Sequence, residues 1–260
     1  MLIDTHCHLH DRDFFTAEQA EEMLKHAKEN GVEKVVCIGT DPKDSLVAHD
    51  FAAKHDGVYW TYGTHPEETN GIKGEILASK HSSDALQSIL TESDNEAPSK
   101  LVAIGEVGLD YHSEDYNRES QIKLFEEMLQ LAKDNGLPVV FHVRNAFEDF
   151  FPVVANFPDI KGVVHSFTDS KKTLKKILEN TDFYVGVNGL ATYSTLPLPP
   201  LERILIETDA PFLTPTPFRG IINEPGYVFY VAKWLEKQLN VDFKVIEETT
   251  TENAKRLYRI

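Results

Sequence analysis

Disulfides, membrane spans and a basic coat are all missing from this sequence. Cys7 and Cys37 are the only cysteines in 260 residues, and two thiols with no CxxC spacing build no disulfide framework. No apolar run approaches the roughly 20 residues that cross a bilayer, so no membrane association is expected. The opening Met1-Leu2-Ile3-Asp4-Thr5-His6 has neither the basic nor the long apolar stretch of a secretory signal, so a cytoplasmic protein is expected, or a nuclear one in a eukaryote. Positive charge is scarce too: 26 Lys and Arg stand against 42 Asp and Glu, a formal charge of −16. Such a balance argues against a surface that coats nucleic acid or lipid through clustered cations.

What the chain does have is alternation. Short apolar, β-branched runs occur at 2–5, 33–39, 58–63, 101–105, 138–142, 161–165, 183–187 and 203–208. Stretches with apolar spacing near 3.6 lie between many of them, at 17–30, 43–55, 119–135 and 170–180. Asn30-Gly31 and Asn135-Gly136 supply helix stop signals. Eight strands alternating with helices imply parallel pairing through crossovers, and the count of eight favours closure into a (β/α)8 barrel over an open, doubly wound sheet. The whole of 1–260 reads as one such domain, since barrels of about 250 residues are common. Two segments break the pattern. The acidic 91–99 reads as an exposed loop leading into the fourth strand, on the face away from the chemistry, and the proline-rich 190–202 excludes a regular helix between strands seven and eight.

Histidine and acid collect at one end of these strands. His6 and His8 follow the first, His65 the third, Glu106 the fourth, His142 the fifth, His165 the sixth and Asp209 the eighth. Five of the 11 histidines therefore sit at strand C-termini, the end where barrels build active sites. In extended backbone His6 and His8 share one face, so both rings can grip one cation while Cys7 points away. An acid such as Glu106 at the exit of an apolar strand needs a partner or a ligand, because burying it alone is costly. No GxSxG elbow competes, which leaves water activated by metal as the economical nucleophile.

The segments IDTHCHLH, AIGEVGLDYH, LPVVFHVR, VVHSF, ILIETDAPFL and PFRGIINEP, in that order along the chain, resemble the TatD-type metal-dependent deoxyribonucleases of the amidohydrolase superfamily. The resemblance implies a (β/α)8 barrel that holds two divalent metals (Zn, Mn, Mg or Co) and hydrolyses DNA phosphodiesters as an exonuclease, a repair endonuclease or both. It implies that His6, His8 and Asp209 hold one metal, His142 and His165 the other, and that Glu106 bridges them. Asp209 would also take a proton from the attacking water, and His65 would stand beside the scissile phosphate. Arg144 and Arg219 are further candidates for the phosphate, each otherwise expected to pair with an acid, and Glu207 is a candidate for orienting a ligand. Asn223-Glu224-Pro225 reads equally well as the start of the last barrel helix.

The chain departs from the family pattern at the prolines of 195–200, at Asn188-Gly189 where Ser-Gly or Thr-Gly is usual, and at Val143 where Ser is usual. None of these removes an expected ligand; they bear on the substrate groove. Other readings are a hydrolase of a different ester or amide bond with the same two-metal site, and a scaffold whose site is vestigial. With DNA as substrate, recognition is expected to rest on the metals and a few arginines, engaging about two to four phosphates with a shallow salt dependence.

Overall fold

Eight parallel strands follow one another around the sheet in chain order in a computed structural model, which describes residues 1–69, 86 and 100–260. They are β1 (Leu2–Cys7), β2 (Val32–Cys37), β3 (Val58–Tyr62), β4 (Leu101–Asp110), β5 (Val139–Arg144), β6 (Gly162–Val164), β7 (Tyr184–Val187) and β8 (Ile204–Ile206). All eight apolar runs of the sequence are therefore strands, and the open-sheet alternative falls away. The acidic stretch 91–99 and His81 lie outside the described residues.

The helices begin where side chains can satisfy free backbone N–H groups. Helix α1 (Ala17–Glu29) starts with a capping box in which Thr16 accepts from Gln19 N and the Gln19 side chain accepts from Thr16 N. Helix α2 (Pro42–Lys54) has Asp41 as its cap and Pro42 in its first turn, where a missing N–H costs nothing. Asn117 caps α3 (Arg118–Asn135), which ends at Gly136 in the left-handed conformation. Helix α4 (Phe147–Val154) and helix α5 (Lys171–Asn180), the latter capped by Ser170, flank β6. Between β7 and β8 the prolines leave only the 3-10 turns Gly189–Thr192 and Leu201–Arg203, as the sequence requires.

After β8 the expected last helix is preceded by a 3-10 turn (Pro225–Tyr227) and becomes α6 (Val228–Leu239), but it is not the last: α7 (Phe243–Tyr258) follows. Asn223 does not act as a simple cap. Its Nδ2 donates to Thr208 O (2.8 Å) and Phe212 O (2.6 Å), so it holds the loop that leaves β8.

Two layers of core result. Ile3, Val36, Val102, Val140, Val163 and Leu205 pack together from six strands, which in a closing sheet places them inside the barrel, and Leu257 and Tyr258 of α7 join them. A second, larger cluster packs the outward faces of the strands against the helices. The barrel closes between β1 and β8 through a bridge from Cys7 to Ala210, with His8 N donating to Ala210 O (2.7 Å) and Asp209 N to His6 O (2.8 Å). Asp4 reinforces the seam by accepting from Thr208 N (2.8 Å) and Thr208 Oγ1 (2.6 Å).

Register shifts occur in two strands just before the site. Asp4 pairs with Val35 but Cys7 with Cys37, so three steps on β1 match two on β2; Ile104 pairs with Val139 but Val107 with Phe141, the same count on β4. Such a bulge reverses the inward and outward alternation beyond it. Ile3 and His6 can then both face the barrel interior, as can Ala103 and Glu106.

Candidate metal centre

At the C-terminal mouth of the barrel the expected donors converge. His6 Nε2 lies 3.3 Å from His8 Nε2, 3.5 Å from Glu106 Oε2 and 3.5 Å from Asp209 Oδ1, and His8 Nε2 lies 3.4 Å from the same Asp209 oxygen. His165 Nε2 is 3.3 Å from Glu106 Oε1, and its ring stacks on that of His6 with centroids 3.7 Å apart. His142 Nδ1 is 2.8 Å from Glu106 Oε1. His65 Nε2 is 3.9 Å from Glu106 Oε1, and its ring stands edge-on to His142 at 4.4 Å. Glu106 is the hub: one carboxylate faces four histidines, His6 and His142 from β1 and β5 and His65 and His165 from the turns that follow β3 and β6.

The donor set fits divalent metal. Bonds of about 2.0–2.2 Å in tetrahedral geometry put donor atoms about 3.3–3.6 Å apart, and the separations of 3.3–3.5 Å among His6, His8, Glu106, Asp209 and His165 fall there. Three sets have all donor atoms within 4.8 Å of one another: His6, His8 and Glu106; His6, His165 and Asp209; and His65, Glu106 and His142. Mixed imidazole and carboxylate donors suit Zn²⁺ and neighbouring transition ions.

Charge in the cluster is arranged to match. Burial would raise the pKa of Glu106, but His165, His142 and His6 outweigh it and hold the carboxyl well below its ordinary value. Asp209 follows the same pattern, with burial opposed by His8, His165 and His6, and it is ionised. Burial lowers His142, yet Asp110 and Glu106 push it up to about 9. His165 is likewise raised well above its usual value, because Glu106 and Glu207 overcome its burial. His65 goes the other way: burial first, then the neighbouring His142, lower it to about 4, so it is a neutral imidazole.

The residues behind these donors are as telling. Glu207 Oε1 lies 3.2 Å from His165 Nδ1 and accepts from Ser166 N (2.7 Å). Asn188, one of the departures from the family pattern, donates to Ser166 Oγ (2.9 Å) and lies 3.4 Å from Glu207 Oε1. Gly186 leaves room for this carboxylate, since a Cβ there would stand 2.6 Å from Glu207 Cδ. Asp110 was not singled out in the sequence, yet its Oδ2 is 2.7 Å from His142 Nε2, which turns Nδ1 toward Glu106. Its signal was available, because Glu106 and Asp110 are four residues apart on one face of a strand.

His10, given no role from sequence, is fully buried with Nε2 3.0 Å from Asp44 Oδ1. His26 on α1 pairs with Glu224 just before the final turn. Arg144 and Arg219 are both exposed, and among the described residues neither forms an ion pair with an acid; Arg219 instead lies over the Tyr193 ring, 3.7 Å from its centroid.

Residues 3–259 match the family described as TatD related DNase. The chain belongs to the TatD family. It is 36% identical over 269 aligned positions to an uncharacterized metal-dependent hydrolase, YabD, of Bacillus subtilis (strain 168), covering all of both chains. It is 29% identical to the 3'-5' ssDNA/RNA exonuclease TatD of Erwinia billingiae (strain Eb661), covering 94% of each. Among solved structures, the TatD homologue YJJV of Escherichia coli K12 superimposes with a TM-score of 0.84 at 28% identity, over 100% of this chain and 98% of that one. The protein is thus a metal-dependent hydrolase of the TatD family on a (β/α)8 barrel, with an irregular crossover between β7 and β8.

Proposed function

We propose that this protein hydrolyses phosphodiester bonds of DNA at the mouth of the barrel, with His6, His8, Glu106, His142, His165 and Asp209 holding two divalent metals. The observation that carries the reading is that His6, His65, His142 and His165 face Glu106 while Asp209 faces His6 and His8, with separations of 3.3–3.5 Å among His6, His8, Glu106, Asp209 and His165 that match metal coordination. When bound, divalent metal supplies Lewis acidity toward a phosphoryl oxygen and makes water nucleophilic near neutral pH.

The chain's own groups divide the remaining work. Asp209 has the most exposed carboxylate of the donor set, with 14% of its side chain accessible against 5% for Glu106, and it is ionised. It can therefore take a proton from an incoming water at Oδ1. Its backbone has a φ of 59°, in the left-handed region that a non-glycine residue rarely adopts. His65, neutral and at the rim, offers one N–H to a phosphate oxygen. Arg144, exposed at the end of β5, and Arg219, on the loop after β8, can reach the flanking phosphates. Glu207 and Asp110 keep the rings of His165 and His142 aimed inward.

Cleavage of end-labelled single- and double-stranded DNA, across Zn²⁺, Mn²⁺, Co²⁺ and Mg²⁺ with chelator controls, tests the reading. Cleavage that chelator abolishes and metal restores, and that falls by 10²-fold or more in Asp209→Asn, is the expected result. Robust cutting by Asp209→Asn sinks it.

A further inference from the structure

We propose that Phe212 and Phe14 form a stacking subsite for one unpaired nucleobase of the strand whose phosphodiester lies over the metal centre. This rests on the DNA-cleaving reading above and extends it to what part of the substrate is gripped, and how.

Both rings are exposed, and Phe212 borders the centre. Phe212 is 47% exposed and Phe14 46%, and they meet edge to face with centroids 5.3 Å apart. Phe212 also stands edge-on to the His8 ring, 6.5 Å away, so the pair adjoins a proposed ligand directly. Phe14 comes from the loop after β1 and Phe212 from the loop after β8, which places the pair over the seam that carries His6, His8 and Asp209.

Neither exposure is an accident of a loose loop. The ring next to Phe14 in sequence, Phe15, is 1% exposed and meets that loop's need for a core contact. Phe212 is fixed at its backbone: its N donates to Asp209 O (2.8 Å), and its carbonyl accepts from Nδ2 of the fully buried Asn223 (2.6 Å). A large apolar ring held rigidly in solvent three residues beyond a catalytic acid gives up burial that similar rings elsewhere in the chain obtain.

The ligand chemistry that fits is a flat π-face tethered within a few bonds of a phosphate, which is a nucleotide. A base inside a duplex presents no free face, so the subsite selects single strands or frayed ends. Stacking also suits the charge of the molecule. With −16 overall the chain has few cations to spare for a broad track, and stacking adds affinity without cations.

The test compares a single-stranded oligodeoxynucleotide with the same strand carrying a tetrahydrofuran abasic residue at successive positions next to the cleaved bond. Expected for Phe212→Ala is a rise in KM of about 5- to 150-fold on the base-bearing strand, with kcat changed less than about 3-fold. Phe14→Ala moves KM in the same direction by less, and Phe212→Trp restores it. At the abasic position that mimics the loss, wild type and Phe212→Ala come within about 2-fold of each other. Equal KM for the two proteins on the base-bearing strand, or the same loss on every abasic strand, overturns the subsite and leaves the nuclease reading standing. If the wild type cuts no strand with any metal, the nuclease reading fails by itself. Fluorescence anisotropy with the metal-loaded proteins and the same strands then decides the subsite: base-dependent weakening by Phe212→Ala supports it, and identical binding overturns it.

Discussion

Glu207 stands behind His165, its Oε1 3.2 Å from Nδ1, while the opposite nitrogen of the ring faces Glu106 at 3.3 Å. A carboxylate behind a ligating imidazole fixes the ring and raises its basicity, and losing such a partner weakens metal affinity by about 10–100-fold. Glu207→Gln keeps the volume and removes the charge. Metal titration of the apoprotein should show affinity reduced within that range, with far-ultraviolet circular dichroism unchanged. Unaltered affinity would mean that His165 needs no support from behind.

Gly186 reaches the same contact from the other side. A Cβ on β7 would crowd the Glu207 carboxylate, standing 2.6 Å from its Cδ, so Gly186→Ala must displace that side chain or the strand. The expected cost in stability is about 1–3 kcal/mol, as for other overpacked sites. Activity should fall together with metal affinity, and added metal should recover part of it. A variant with wild-type Tm and wild-type metal affinity would show that Glu207 has somewhere else to go.

Metal binding should release protons, because the metal-free centre holds them on its histidines. His142 is raised to about 9 and His165 well above its usual value, so both are largely protonated at neutral pH and must deprotonate to coordinate. Affinity should therefore strengthen as pH rises from 7 to 9, by up to tenfold per pH unit for each proton released. Calorimetry in buffers of differing ionisation enthalpy reads the proton count directly, and a value near zero at pH 7 would contradict this account.

The buried His10–Asp44 pair gives a second pH dependence, in stability and not in binding. Burial alone would lower His10, but Asp44 and Cys37 raise it to about 9, above the ordinary value of 6.5. The folded state thus holds the proton more tightly than the unfolded one. This stabilisation is complete below about pH 6.5 and is lost as pH rises through 9. Removing one partner of such a pair costs on the order of 3 kcal/mol. Urea unfolding of wild type and Asp44→Asn in chelator should differ most near pH 6, and the gap should narrow by pH 9.5. Titration of the metal-site histidines is common to both proteins and cancels in the difference.

Much of this was legible in the sequence because the chemistry falls at strand ends. The eight runs mark the barrel, and the residues that end them mark its mouth, so His6, His8, Glu106, His142, His165 and Asp209 could be picked out before any of them was seen together. The bulges in β1 and β4 could not. A strict period of two places Ile3 and His6 on opposite faces, and only the shifted registers Asp4↔Val35 and Cys7↔Cys37 reconcile a packed interior below with inward ligands above. His10 was opaque for a different reason: its partner Asp44 is 34 residues away, and pairings at such range leave no local pattern. The two arginines were legible as cations but not as exposed ones, since burial depends on what the neighbouring loops cover.

The seam between β1 and β8 also fixes when activity can first exist. His6 and Asp209 are joined by a backbone hydrogen bond across 203 residues of chain, and His8 and Ala210 by another across 202. Contacts of such range form late, because each must close almost the whole polypeptide into a loop. A chain emerging from the ribosome can complete β1 through β7 and still have no Asp209 to set beside His6. The proposed centre is thus incomplete throughout the protein's own synthesis, until the last strand docks against the first.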